Sequence, residues 1–311
     1  IHPNTRGVFV IAATPFTDSG AIDFESIDTL TDFYLSFGID GLTILGIMGE
    51  AQKLSQDESL AVMHRFLQRV NGRVPVIVGA SAPAFDPMVA LSKAAMDAGA
   101  SGVMIAPPNT LRTDDQIVTF YRQAVEAIGA DVPFVIQDYP LTFSVQMSPG
   151  VIRRVIEESP SCVMLKHEDW PGLDKISTLR AWERAGDLRH VAILTGNNGL
   201  FLDYEMERGA DGANTGYAFP DMLCDVVRLS AAGDREAAHD LFDAHLPLLR
   251  YEQQPGVGLA VRKYLLMRRG LLSSAAQRKP SAAMSAATRA EVEHLLGRLA
   301  VHDPRAALAP A

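Results

Sequence analysis

Eight short runs rich in valine, isoleucine and other apolar residues recur about every 20 to 35 residues, and this repeat limits the possible fold more than any other feature of the chain. They are VFVIAAT (8–14), GLTILG (41–46), VPVIVGAS (74–81), GVMIAPP (102–108), PFVIQDY (133–139), CVMLKHE (162–168), VAILTGNN (191–198) and DGANTG (211–216). Each gives way to polar or glycine-rich residues and then to a segment such as QDESLAVMHRFLQRV (56–70) or DDQIVTFYRQAVEAI (114–128), whose apolar residues fall at helical spacing. Strands that are apolar throughout, alternating with amphipathic helices, predict a parallel sheet buried on both faces. Eight units are the number that closes into a (β/α)8 barrel. An open, doubly wound sheet is the runner-up. It lacks support because no G-x-G-x-x-G follows the first strand, and GIMGE after the second has the wrong spacing for a dinucleotide turn.

Beyond the eighth unit the pattern is purely helical, over about 220–231, 233–250, 256–272 and 285–299. The expected organisation is a catalytic barrel over 1–232, with C-terminal helices and a tail (233–311) packed on it. SSAAQRKPSAAM (273–284) reads as a linker and HDPRAALAPA (302–311) as a weakly ordered tail, neither of them suggesting chemistry.

A chain of 311 residues with 48% apolar content can bury a core of this size. The formal net charge of -9, without a basic stripe interleaved with aromatics, argues against nucleic acid as a partner. No apolar run approaches the roughly 18 residues of a membrane span. The opening IHPNTRGVFVIAATPF lacks the features of a secretory signal, so a cytosolic location away from membranes is expected. Cys162 and Cys224 are too few for a disulfide framework or a cysteine zinc site and read as buried thiols.

In a barrel of this kind, chemistry sits at the carboxyl ends of the strands. Of the six lysines, only Lys166 lies at a strand end. An amine held in an apolar barrel mouth is disfavoured as ammonium and becomes available as a nucleophile toward a carbonyl. The plainer alternative is a salt bridge to Glu50, Asp138 or Glu168. His167, Glu168 and Asp169 follow at once, but neighbouring strand residues point to opposite faces, which argues against a metal cluster, so no metal is expected. Imine chemistry also needs a proton shuttle. Gln137 and Tyr139 share a face at the fifth strand end while Asp138 points away, which makes the Tyr139 phenol the candidate, with a structural rim tyrosine as the alternative. The glycines of Gly46-Ile47-Met48-Gly49-Glu50 let backbone N–H groups approach a carboxylate. Asn197, Asn198, Asn214 and Thr215, at the ends of the last two strands, suit substrate hydroxyls.

Taken in order, GVFVIAATPFTDSGAID, GIMGE, the PVIVGA strand, the fifth strand ending before Pro140, and Lys166 resemble the dihydrodipicolinate synthase and N-acetylneuraminate lyase superfamily over about residues 7 to 275. The resemblance implies a cofactor-free barrel enzyme that binds pyruvate or a related 2-oxo acid as a Schiff base on Lys166, with an aldehyde as the second reactant, in a homo-oligomer (tetramer or dimer). Four departures bear on substrate. Ile47 and Met48 stand where synthases of the family carry two threonines. Gln137 stands at the catalytic tyrosine, with Tyr139 two residues on. Thr142 matches the arginine that meets the dicarboxylic aldehyde, so no charged partner remains for a second carboxylate. Asn109 matches the tyrosine contributed across the dimer.

These departures disfavour the lysine-biosynthetic synthase reaction and leave an aldolase or hydro-lyase acting on a 2-oxo acid with a less acidic distal part. Ile47, Met48 and Phe143 lean toward an apolar distal group and the asparagines toward hydroxyls. The expected site is Lys166 and Tyr139 as catalytic residues, with Gly46, Ile47, Met48, Gly49, Gln137, Thr142, Asn197 and Asn214 against the substrate. The alternatives are the synthase itself and a non-catalytic 2-oxo acid or sugar-acid binding protein on the same fold.

Overall fold

The eight apolar runs become eight parallel strands, β1 (Gly7–Ile11), β2 (Gly41–Ile44), β3 (Val76–Gly79), β4 (Gly102–Ile105), β5 (Phe134–Asp138), β6 (Cys162–His167), β7 (Ala192–Thr195) and β8 (Gly212–Thr215). They pair in sequence order, and β8 closes on β1. The computed structural model describes residues 1–170 and 172–309. Between the strands run α1 (Phe24–Ser36), α2 (Gln56–Val70), α3 (Phe85–Asp97), α4 (Asp114–Ile128), the single turn α5 (Pro140–Phe143), α6 (Pro149–Glu158), α7 (Leu173–Ala185) and α8 (Leu202–Glu207), and α9 (Pro220–Ala231) packs across β1 and β8. The predicted barrel is therefore present.

Local chemistry sets where these helices begin. Ser55 with Glu58 and Thr113 with Gln116 form capping boxes at α2 and α4, and Asp23 and Ser148 accept from the first turns of α1 and α6. The floor of the barrel is apolar, with Phe9, Ile77, Met104, Val135, Val163, Met164, Ala192 and Leu194 packed in its interior. A larger cluster fills the space between strands and helices. Each fully buried side chain of this kind stabilises the fold by about 1.5–3 kcal/mol relative to exposure.

Three further helices follow, α10 (Arg235–Glu252), α11 (Gly258–Arg268) and α12 (Ala286–Leu299), with α10 lying against α8, α9 and both of its successors. Two expectations for this region are corrected. Residues 273–284 are not a free linker. Ser273 donates its N–H to Ser26 Oγ at 3.0 Å, and Arg278 binds Glu50 Oε2 at 3.0 Å through its N–H and the Gly20 carbonyl at 2.9 Å through Nε. The composition suggested slack, but the polar side chains find partners on α1, α2 and the loop after β2. The tail is not loose either. Asp303 pairs with buried His245 at 2.8 Å, Arg305 reaches Asp225 at 2.9 Å and Ala306 is buried. Pro310 and Ala311 lie outside the described residues. Cys162 is buried as expected, while Cys224 on α9 is only half-buried. Among the described residues no helix is long and apolar enough to cross a membrane.

Candidate active site

Which face of β6 each residue occupies is decided by a one-residue irregularity. Phe134 pairs with Cys162, but the next pair is Val135 with Met164, so Val163 is an extra residue. Both Val163 and Met164 then face the barrel interior, and Leu165 faces the helices. Without the extra residue, strict alternation from Cys162 would turn Lys166 outward. With it, Lys166 and Glu168 face the barrel mouth while His167 is buried on the helical side, 3.7 Å from Asp138.

The Lys166 ammonium lies 2.9 Å from Glu168 Oε2, and both side chains are buried. Of the three partners considered from sequence, Glu168 is therefore the one present. Asp138 is taken by Lys175 at 2.7 Å, and Glu50 by Lys53 at 2.8 Å and Lys263 at 2.5 Å. Gln137, opposite Lys166 in the register, donates Nε2–H to the same Glu168 oxygen at 2.8 Å. Asn197, in the left-handed conformation after β7, donates its side-chain amide to the Glu168 carbonyl at 2.9 Å. Gly196 leaves room for the carboxylate: a Cβ there would fall 2.2 Å from Glu168 Cγ. Lys166 and Gln137 thus converge on one buried Glu168 oxygen, the first as a close ion pair and the second through a charge-assisted hydrogen bond.

These residues border a cavity of about 750 Å³ at the barrel mouth. Ile47, Met48, Tyr139, Thr142, Asn197 and Thr215 line it too. Tyr139 is the residue before α5, where the strand has ended, and burial followed by the negative charge of Glu168 raises its phenol pKa, so it stays protonated. The Gly46–Glu50 turn is closed by Gly49 and Glu50 N–H bonds to the Gly46 and Ile47 carbonyls, both 3.0 Å, which leaves the Ile47 and Met48 N–H groups outside those bonds.

Other expected contacts fall elsewhere. Asn214 is wholly buried and accepts from Thr43 at 2.9 Å inside the barrel, below the cavity lining. Gly49 lies behind the turn, its carbonyl held by Thr14 at 2.6 Å. Gly46, Phe143 and Asn109 border a neighbouring cavity of about 570 Å³, which shares Ile47, Gln137 and Thr142 with the first.

Sequence reasoning missed the wall formed by the C-terminal helices. Glu252, Gln253 and Arg262 line the Lys166 cavity, and Arg262 contacts Glu252, Asn198 and Met48. The reading that no charged partner remains for a second carboxylate rested on Thr142 and did not consider this helix; Arg262 arrives from α11, with no local motif to announce it. Glu168 was weighed only as a lysine partner or spurious metal ligand. Its place two residues after Lys166 on a strand was the available signal.

A family model described as the dihydrodipicolinate synthetase family matches residues 4–299. The chain belongs to that family. Members are lyases, and this dihydrodipicolinate synthetase family protein is a lyase of the dihydrodipicolinate synthase type. It is 31% identical over 301 residues to an L-2-keto-3-deoxyarabonate dehydratase of Azospirillum brasilense, spanning 96% of this chain and 95% of that protein. It is 32% identical over 305 residues to a 4-hydroxy-tetrahydrodipicolinate synthase of Sorangium cellulosum, covering 94% and 95%. The crystal structure of a dihydrodipicolinate synthase from Rhodopseudomonas palustris matches it with a TM-score of 0.94 and 63% identity, over 96% of this chain and 99% of that one. Family membership and reaction are separable here, because one barrel serves both a synthase and a dehydratase among the relatives.

Proposed function

We propose that this protein is a class I hydro-lyase that forms an imine between Lys166 and a 2-oxo-3-deoxy sugar acid and removes water from it. The observation that carries this reading is the buried Lys166–Glu168 pair at 2.9 Å, with Gln137 fixing the carboxylate from the other side. A nucleophilic amine and an acid-base group on one strand face supply both halves of the chemistry. The likeness to a keto-deoxy sugar-acid dehydratase over most of both chains supports the substrate class.

In the proposed cycle Lys166 passes a proton to Glu168 and its free amine attacks C2 of the 2-oxo acid. Glu168 returns that proton to the carbinolamine hydroxyl, which leaves as water to give the iminium. The Glu168 carboxylate then takes a proton from C3. The enamine electrons expel the C4 hydroxyl as Glu168 protonates it, so a second water leaves. Water hydrolyses the conjugated iminium and restores Lys166, and the substrate has lost one water overall. The free Ile47 and Met48 N–H groups hold the C1 carboxylate, and the protonated Tyr139 donates a hydrogen bond within the same cavity. Carbon–carbon cleavage would use the same imine but expel an aldehyde from C3–C4.

Incubation with pyruvate and sodium borohydride, then intact mass and peptide mapping, tests the imine: an adduct on Lys166 is expected. Turnover of L-2-keto-3-deoxyarabonate tests the reaction, the expected product being lighter by one water. No adduct with either acid would sink the class I reading. An adduct with release of pyruvate from the sugar acid would replace dehydration by aldol cleavage.

A further inference from the structure

We infer that Arg262 reads the hydroxylated distal end of the substrate, in a subsite contributed by the C-terminal helices; this rests on the imine reading of Lys166 above. Arg262 is 4% exposed and lines the same cavity as Lys166. Its Nε donates to Glu252, one terminal nitrogen donates to Asn198 Oδ1, and the other, Nη1, faces the Met48 sulfur. A thioether is a weak acceptor. Among the described residues, Nη1 is therefore a buried cationic donor without a strong partner, a condition that a ligand oxygen relieves. Gly216, just beyond β8, keeps that place open, since a Cβ there would sit 3.0 Å from both Nη1 and the sulfur. Met48 is flexible enough to yield to a ligand.

The surroundings select among ligand oxygens. Glu252 cancels the charge of Arg262 and accepts the Ala218 N–H at 3.1 Å, while the Asn198 amide lies 3.4 Å from its other oxygen. With its charge balanced by Glu252 and Nη1 facing only a thioether, the guanidinium offers a hydrogen-bond donor rather than a net charge, which suits a neutral hydroxyl oxygen. Among the buried charges of the cavity, Lys166 and Arg262 face Glu168 and Glu252, while Arg250 is exposed. Among the described residues, the distal end therefore offers no buried cation that is not already paired, and a second carboxylate there would be an unpaired buried charge. The subsite thus fits a monocarboxylic 2-oxo acid with hydroxyls at its distal carbons and rejects a dicarboxylic one.

The test measures the concentration giving half-maximal borohydride trapping on Lys166, with pyruvate and with a 2-oxo-3-deoxypentonate. Two variants are compared with wild type: Arg262→Lys, which keeps a cation beside Glu252, and the double variant R262Q/E252Q, which leaves no unpaired buried charge. In both, the concentration for the pentonate should rise about tenfold or more, the worth of a hydrogen bond to a charged group, while that for pyruvate stays within about twofold. Equal losses for both acids would assign Arg262 to the C1 carboxylate and overturn the inference. No change for the pentonate would overturn it as well. If wild type itself gives no adduct with either acid, the imine reading has failed and this inference falls with it, an outcome that the wild-type control identifies on its own.

Discussion

Lys263 places its ammonium 2.5 Å from Glu50 Oε1, and neither side chain reaches solvent. The other Glu50 oxygen takes Lys53 at 2.8 Å and the Arg278 N–H at 3.0 Å, so one carboxylate ties the Gly46–Glu50 turn to α11 and to the segment that follows it. Replacing Lys263 with Met leaves a buried charge with part of its compensation removed. The expected loss is about 3 kcal/mol, the low end for breaking a buried pair, because Lys53 remains. Urea unfolding measures it, and an unshifted midpoint would mean that Lys53 and the Arg278 N–H suffice.

Glu205 on α8 sits behind β7 with its carboxyl held up at about 7, chiefly by burial, with His167 and a Thr195 hydrogen bond pulling the other way. Unfolded, the group titrates near 4.5, so the folded state binds the extra proton between these values. Its contribution is fully present below about 4.5 and is lost as pH rises through about 7, on the order of 3 kcal/mol across the window. Glu205→Gln lacks this loss. The Tm of the variant minus that of wild type should climb between pH 5 and pH 8, and a flat difference would rule out a buried acid there.

Glu168→Gln removes the proposed proton carrier and keeps a group of the same shape beside Gln137. Dehydration should slow by roughly 10²–10⁴-fold, the usual worth of a positioned acid-base group. Trapping of pyruvate on Lys166 during a long incubation with borohydride should persist. Loss of trapping under those conditions would show that Glu168 holds the lysine in place and leave its proton transfer without support.

Tyr139→Phe separates a hydrogen-bond donor from a shuttle. With Glu168 moving the protons, the variant should lose about tenfold in kcat/KM, in line with one hydrogen bond to an ionic intermediate. A loss as large as that of Glu168→Gln would give the phenol a proton-transfer role.

The alternation of strand and helix was legible because a parallel strand buried on both faces has to be apolar throughout, and its covering helix has to carry an apolar stripe. Lys166 was legible for a related reason, being the only lysine at the end of such a strand. The face it occupies was not. That depends on the extra residue at Val163, and nothing in CVML marks a bulge, since no glycine or proline stands there. Arg262 and Lys263 were hidden differently. α11 is buried nearly all round, so its charges follow no amphipathic pattern, and their partners Met48 and Glu50 lie 214 and 213 residues away in sequence. Asn214 was read as facing the cavity from its position at a strand end, whereas it is wholly buried and accepts from Thr43, on the strand that flanks β1 from the other side.

Arg262 and Lys263 both follow the last barrel strand in the sequence, on a helix outside the barrel. A ribosome therefore delivers Lys166, Glu168 and the Gly46–Glu50 turn well before the helix that braces the turn and completes the cavity wall. A chain cut short after β8 would carry Lys166 without its enclosure. On the proposed imine chemistry, the amine meets a substrate in a finished pocket only once synthesis has passed α11, so the order of translation itself separates folding the barrel from completing the site.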